Sequence, residues 1–450
     1  PYLLTVCPHL RIINPYHYAD RLPRQGDAMS VSKRNPLGKV LVCNRGEIAI
    51  RVFRSCTELD IQTVAVYSYE DRFSLHRYKA DEAYQVGEEG TPVQSYLNID
   101  EIVAIAKKAN VDAIHPGYGF LAERADLRTA AEQSGIIFVG PDVETLEVAG
   151  DKVATRLLAK NAGVPIIPGS GMLDNLSQAE RFAEAVGYPI MLKAAFGGGG
   201  RGMRLVKTKD ELDNAYLTAQ TESQAAFGRT EIYAEKYVAN PKHIEVQLLG
   251  DGTGEVVHLF ERDCSLQRRH QKVIEFAPSI GLDETQRQKL FEYALTLGRD
   301  LRLRSATTAE FLVTDDGGIY FIEINPRIQV EHTVTEEVTG VDLVQAQLRI
   351  AGGETLSDLN LTQETIAVHG VAIQCRITTE NPARDFAPDH GKLLAYRSAS
   401  GFGIRLDAGS AFAGAVISPF YDSLLVKVTA RGNSMVSVTN RMRRALSEFR

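Results

Sequence analysis

Apolar residues recur along this chain in short runs, and two rhythms divide it. In the first rhythm, runs at 39–43, 63–67, 113–114 and 136–139 alternate with stretches of helical period such as 47–59 and Ile99–Lys108. Strand and helix in alternation predict an open parallel sheet, hence a Rossmann-like α/β domain over 37–150. The loop after its first strand reads Asn44-Arg45-Gly46-Glu47 and lacks GxGxxG, so dinucleotide binding is not indicated. From about Asp151 to 345 helices alternate with antiparallel strands, and a third block of strands opens at about Thr365, for an α/β and α+β multidomain chain. Residues 1–36 show no sustained period and are expected to form a disordered extension, with Met29 as a plausible start. At the other end 436–450 reads as an amphipathic helix that stops without a cap, which suggests a third domain, 365–450, that is cut short.

The most informative alternation lies at 321–331. Ile322, Ile324, Ile328 and Val330 alternate with Glu323, Asn325, Arg327, Gln329 and Glu331, which is the period of a strand with one packing face and one polar face. An upstream strand at 308–314 joins it through Asp315-Asp316-Gly317-Gly318, a hairpin signal that pairs Glu310 with Glu323. Facing carboxylates destabilise a sheet by up to about 1 kcal/mol, so the pair calls for a cation, a shared proton or solvent. Oxygen donors from Glu310, Glu323 and Asn325 suit magnesium or manganese. A solvated outer face of an antiparallel sheet would show the same alternation.

A second element favours the metal. The run at 188–195 predicts a buried strand leading into Gly197-Gly198-Gly199-Gly200-Arg201-Gly202, where backbone N–H groups can approach an anion and Lys193 adds a point charge. No Gly-Lys-Ser/Thr follows, so this is not a Walker loop. Together the loop, the lysine and the paired acids point to a nucleoside triphosphate.

Composition sets the frame for that chemistry. With 450 residues and 44% hydrophobic content the chain can bury several cores, roughly three domains. A net charge of −7 argues against general nucleic-acid affinity. Five cysteines, widely spaced and without CxxC, signal neither a disulfide framework nor zinc and suggest a reducing compartment. No apolar run reaches the ~20 residues of a membrane span.

The residues from about Lys39 onward resemble the biotin carboxylase component of biotin-dependent carboxylases, within the ATP-grasp superfamily. The likeness is carried by VCNRGEIAIRVFR at 42–54, HPGYGFLAE at 115–123, GGGGRGM at 197–203, EKYV at 235–238, KHIEVQ at 242–247, RDCSLQRRHQK at 262–272 and FIEINPRIQVEH at 321–332. SLHRYKADEAYQVG at 74–87 and SPFYDSLLVKV at 418–428 look most like pyruvate carboxylases. The resemblance implies an ATP-grasp domain over 151–345 with a mobile lid at about 165–235, followed by a biotin carboxylase C-terminal domain. It implies ATP held by Lys152, Lys193, Gly198, Gly199, Gly200, Glu235, Lys236, His243, Gln267, His270 and Glu310, with metal on Glu310, Glu323 and Asn325. Bicarbonate would meet Lys272, Arg327, Gln329 and the backbone of Val330. Glu331 would be its base, and Arg376 would stabilise the enolate of biotin.

Biotin would be an acceptor not attached to this chain, since no Met-Lys-Met site is present. The resemblance therefore implies a biotin carrier and a carboxyltransferase, on a downstream part or another subunit, and a homo-oligomer in the cytoplasm or mitochondrial matrix. The biotin carboxylase of an acyl-CoA carboxylase, or another ATP-grasp carboxylate–amine ligase, is the alternative. Departures from the family pattern at Arg124, Thr307 and Arg229-Thr230 remove no catalytic group.

Overall fold

The computed structural model describes residues 36–194, 203–268 and 271–450. The extension at 1–35, the glycines at 198–200 and His270 lie outside the described residues. Five parallel strands open the fold: in spatial order Glu82–Gln85, Gln62–Tyr67, Lys39–Val42, Ala113–His115 and Ile137–Phe138. This is the doubly wound sheet that the strand–helix alternation predicts. Its two apolar faces bury Val40, Val42 and Ile48 on one side and Leu41, Ile102 and Ile114 on the other, as a parallel sheet covered by helices requires.

A second, four-stranded antiparallel sheet follows, in the order Gly169–Met172, Ile232–Lys236, Ile190–Ala194 and Arg204–Val206. Helices Leu176–Val186 and Leu212–Phe227 pack on it through Ala179, Ala183, Leu212 and Ala219. The Ile190–Ala194 strand buries Ile190, Leu192 and Ala194 and leaves Met191 and Lys193 half-buried, so it is one-sided rather than wholly buried.

The third sheet has eight strands, all antiparallel. Its order is Ile319–Asn325, Arg304–Val313, Lys242–Asp251, Val256–Arg268, Gln271–Ala277, Val371–Thr378, Leu424–Gly432 and Ile404–Ala408. The block of strands expected after Thr365 thus continues the same sheet: Ile274 pairs with Cys375 and Glu275 with Gln374. Helix Glu284–Asp300, opened by a reciprocal Asp283–Gln286 capping box, covers its apolar face through Leu290, Phe291 and Ala294.

The predicted hairpin forms in register, with Glu310 opposite Glu323, and Gly317 takes a positive φ of 89° in its turn. Two expectations are corrected. The strand ends at Asn325 instead of running to Glu331, because Pro326 has no N–H for the ladder; residues 326–331 form a loop before helix His332–Thr339. A β-bulge between Glu310 and Phe311 pairs Phe311 with Phe321, so Ile322 is the extra residue and lines a cleft instead of the core.

Candidate functional site

A cleft of about 1190 Å³ runs between the four-stranded and eight-stranded sheets. Met191, Met203, Tyr233 and Val238 line one part together with Leu312 and Ile322, an apolar slot at one end of a polar floor. Strand alternation builds that floor. His243, Glu245 and Gln247 alternate with the buried Ile244, Val246 and Leu248, and the neighbouring strand adds Glu310 directly across from Glu245.

Glu310 is the hub of the floor. One carboxylate oxygen accepts hydrogen bonds from Lys272 Nζ (3.1 Å), Asn325 Nδ2 (2.9 Å) and Gln329 Nε2 (2.8 Å), and the other pairs with His243 Nε2 (2.5 Å). Burial alone would raise its pKa, but Lys272 and His243 outweigh burial and hold it well below the usual carboxylate range. Glu323 goes the other way: burial first and then the Glu310 charge push its pKa up. Asn325 Nδ2 at 3.5 Å is its closest amide donor. Glu310 and Glu323 supply carboxylate oxygens of the kind that suits a magnesium or manganese ion, while Asn325 turns its Nδ2 to them and its Oδ1 to Arg327, so its amide would have to reverse to join the donor set.

Beyond Glu310 the floor becomes a cage of charges around Glu331, which is 2% exposed. Lys272 Nζ lies 2.7 Å from one of its oxygens and Arg376 Nη2 3.0 Å from the other. Burial would raise this carboxyl too, but Lys272, Arg376 and Arg262 together hold it below the ordinary range. Lys272 also bonds Glu245 (2.5 Å), and Arg376 Nε bonds Glu275 (2.7 Å). His243, Glu245 and Glu310 bring ligand atoms within 4.8 Å of one another, but the Lys272 ammonium already bridges the two acids.

The structure brings most of the predicted residues to this cleft, with differences in what each side chain does. Lys152, Lys193, Glu235, Lys236, His243, Gln267, Lys272, Glu310, Glu323, Asn325, Arg327, Gln329, Val330, Glu331 and Arg376 all line it. Lys193 and Arg156 both pair with Glu235, and Gln267 Nε2 faces His243 Nδ1 at 3.2 Å. The Lys236 ammonium is held by the carbonyls of Gly187 (2.9 Å) and Tyr188 (3.3 Å). Arg327 donates to Glu123 (2.5 Å) and to Asn325 Oδ1 (3.1 Å). Cys264 is a buried small side chain whose thiol pKa is pushed up, first by burial.

Sequence reasoning missed the residues beneath this set. Arg262, 0% exposed, pairs with Glu245 and donates to Gln247 (2.7 Å), Thr335 (3.0 Å), Thr308 (3.1 Å) and Gln329 (2.9 Å). The alternation at 242–248 could have singled out Glu245 and Gln247. Nothing local marks Glu275 or Glu123 as the partners of Arg376 and Arg327.

Comparison with known proteins gives three consecutive family matches: a biotin carboxylase N-terminal domain at 36–146, the ATP binding domain of carbamoyl-phosphate synthase L chain at 151–359, and a biotin carboxylase C-terminal domain at 374–450. The chain is 55% identical to pyruvate carboxylase of Aspergillus niger over 415 residues and 54% identical to the human mitochondrial pyruvate carboxylase over 416. Each match covers 92% of this chain but only 35% of the relative's length. Among solved structures, the biotin carboxylase domain dimer of Hydrogenobacter thermophilus 2-oxoglutarate carboxylase, in complex with MgADP, ADP and bicarbonate, is 46% identical with a TM-score of 0.88 and covers 92% of this chain and 90% of that one. Biotin carboxylase from Campylobacter jejuni is 40% identical with a TM-score of 0.87, over 92% of both chains.

Proposed function

The chain belongs to the biotin carboxylase family, which carboxylates biotin with ATP and bicarbonate, and from that premise we propose how its residues divide the work. The carrying observation is that Lys272 and Arg376 converge on Glu331 beside Arg327 and Gln329, a few ångströms from the Glu310–Glu323 pair. ATP would enter with its base in the apolar slot of Met191, Tyr233, Val238, Leu312 and Ile322. Its phosphates would meet Lys152 and Lys193, with His243 near the ribose and Gln267 beside it. A magnesium or manganese ion, when bound, would neutralise the phosphate charge at Glu310, Glu323 and Asn325.

Bicarbonate would bind between Arg327, Gln329, Lys272 and the Val330 backbone. Glu331 takes its proton, and the bicarbonate oxygen attacks the terminal phosphorus to give carboxyphosphate and ADP. Lys272, Arg376 and Arg262 hold Glu331 ionised, the form that accepts a proton. Carboxyphosphate then releases carbon dioxide and phosphate, the phosphate accepts the ureido N–H proton, and the nitrogen captures the carbon dioxide. Arg376 faces the negative charge that gathers on the ureido oxygen, where a guanidinium stabilises it.

The final acceptor we propose is pyruvate, supported by the identity of 54–55% to pyruvate carboxylases. A biotin carrier and a carboxyltransferase, on the same polypeptide or another, would then be the partners, and the dimer of the Hydrogenobacter relative supports self-association. No helix among the described residues is long and apolar enough to cross a membrane. Cytoplasm or mitochondrial matrix is the proposed location, given the mitochondrial and bacterial relatives. ATP cleavage measured with and without bicarbonate and free biotin tests the reading. It should be slow without biotin and require bicarbonate; fast turnover indifferent to bicarbonate at every biotin concentration would overturn it.

A further inference from the structure

Lys427 carries a charge that the proposed reaction does not use. It is 0% exposed, in the strand Leu424–Gly432, and its ammonium makes a 3.0 Å hydrogen bond to the carbonyl of Val330 and a 3.0 Å ion pair with Glu47. Desolvating an ammonium is costly, and an unbranched apolar side chain of similar length would fill the same space without that cost. In strand register Lys427 lies directly opposite Arg376. The two cations reach adjacent points of one loop: Arg376 takes the Glu331 carboxylate and Lys427 takes the carbonyl just before it.

That carbonyl belongs to the peptide joining Val330 to Glu331. A trans peptide is planar with its C=O and N–H on opposite sides, so fixing the carbonyl also fixes where the Glu331 N–H and Cα point. The preceding carbonyl, of Gln329, is held from a second direction by His332 Nδ1 at 2.6 Å. Glu47 supplies the counter-charge from the start of helix Gly46–Glu58. Gly409 makes the close approach feasible: a Cβ there would come within 2.2 Å of the Glu47 nitrogen.

We propose that Lys427 is a positioning residue for bicarbonate: its hydrogen bond to the Val330 carbonyl sets the peptide that carries the Glu331 N–H and Cα and so aims the Glu331 carboxylate at the anion, while His332 holds the preceding peptide, which carries the Val330 N–H. The inference rests on placing bicarbonate at Arg327, Gln329 and Glu331. Lys427→Met keeps length and loses the donor, but strands the Glu47 carboxylate, so the informative protein is the double variant Lys427→Met/Glu47→Gln. In bicarbonate-dependent ATP cleavage with free biotin present, both variants should raise KM for bicarbonate by about tenfold or more, the effect of losing one charged hydrogen bond. KM for ATP should stay within about twofold of the unsubstituted chain, because the triphosphate does not meet this peptide. The double variant should regain melting temperature over the single one without regaining bicarbonate affinity. Recovery of both together, or equal increases in the two KM values, would show that Lys427 only holds the fold together and would overturn the proposal. An unsubstituted chain that never saturates with bicarbonate would instead fail the site assignment itself, which the same titration reads first.

Discussion

Glu323 and Glu331 are both buried carboxylates in one cleft, and their surroundings give the same substitution opposite consequences. Glu323 faces Glu310, and burial and that charge raise its pKa; Glu331 is embraced by Lys272 and Arg376, which overcome burial and lower it. In metal-free buffer near neutral pH, Glu323→Gln relieves a repulsion and should leave the melting temperature unchanged or raise stability by up to about 1 kcal/mol. Glu331→Gln leaves the guanidinium and ammonium with one acceptor fewer and should cost about 1–3 kcal/mol. Both should lose activity by orders of magnitude. Thermal melts paired with ATP cleavage check this, and a Glu323→Gln protein that melts lower yet stays active would make that carboxylate structural. Glu323 could be placed from the chain because apolar alternation and the turn fix its register opposite Glu310, whereas Glu331 was read on the same strand and lies in the loop after it.

Elements were legible where the signal is local and obscure where it is not. The hairpin register follows from a turn and two alternations, so Glu310 opposite Glu323 could be read from the chain. Pro326 ends the second strand, a local signal that the alternation overrode, and the bulge that turns Ile322 into the cleft has no sequence mark. The pairing of Gln271–Ala277 with Val371–Thr378 joins segments about a hundred residues apart and puts Arg376 beside Glu275, while the loop before helix His332–Thr339 brings Glu331 to the same guanidinium. That pairing makes the role of Arg376 testable against that of Glu331. Glu331→Gln should suppress ATP cleavage and carboxybiotin formation alike, since both need carboxyphosphate. Arg376→Gln should keep some bicarbonate-dependent cleavage while carboxybiotin per ADP falls, by a barrier of about 2–4 kcal/mol if one stabilising donor is lost. An unchanged ratio would mean that Arg376 acts earlier, on bicarbonate or ATP.

Across the whole molecule, the eight-stranded sheet runs through two of the three family-matched regions, so disturbance in one should be felt in the other. Buried histidines in both the parallel-sheet domain and the large sheet make stability depend on pH. His76 and His115 in the parallel-sheet domain and His258 in the large sheet, stacked 3.9 Å from Phe291, each have pKa values lowered to about 4, chiefly by burial. His332 is lowered further, again first by burial and then by Lys427 and Arg51. The sign follows from linkage: the unfolded chain takes up protons near the ordinary histidine pKa of about 6.5, while the folded chain resists until about pH 4, so stability falls as pH drops through that interval. His243 opposes the trend, because Glu310 overcomes burial and raises its pKa, and so do the carboxyls of Glu47, Glu275, Glu323 and Glu337, each raised first by burial. The contribution of the four lowered histidines to the urea midpoint should therefore be flat above about pH 7 and decline between about pH 6.5 and 4.5. The carboxylates held low by cations, Glu331 among them, hold their contribution until still lower pH and cannot produce that early decline. His258→Phe preserves the stacking on Phe291 and removes one titrating group, so its midpoint should decline less steeply than that of the unsubstituted chain. Equal slopes in the two proteins would show that His258 titrates in the fold as it does in the unfolded chain, and burial would then have to be discounted as the force that keeps it neutral.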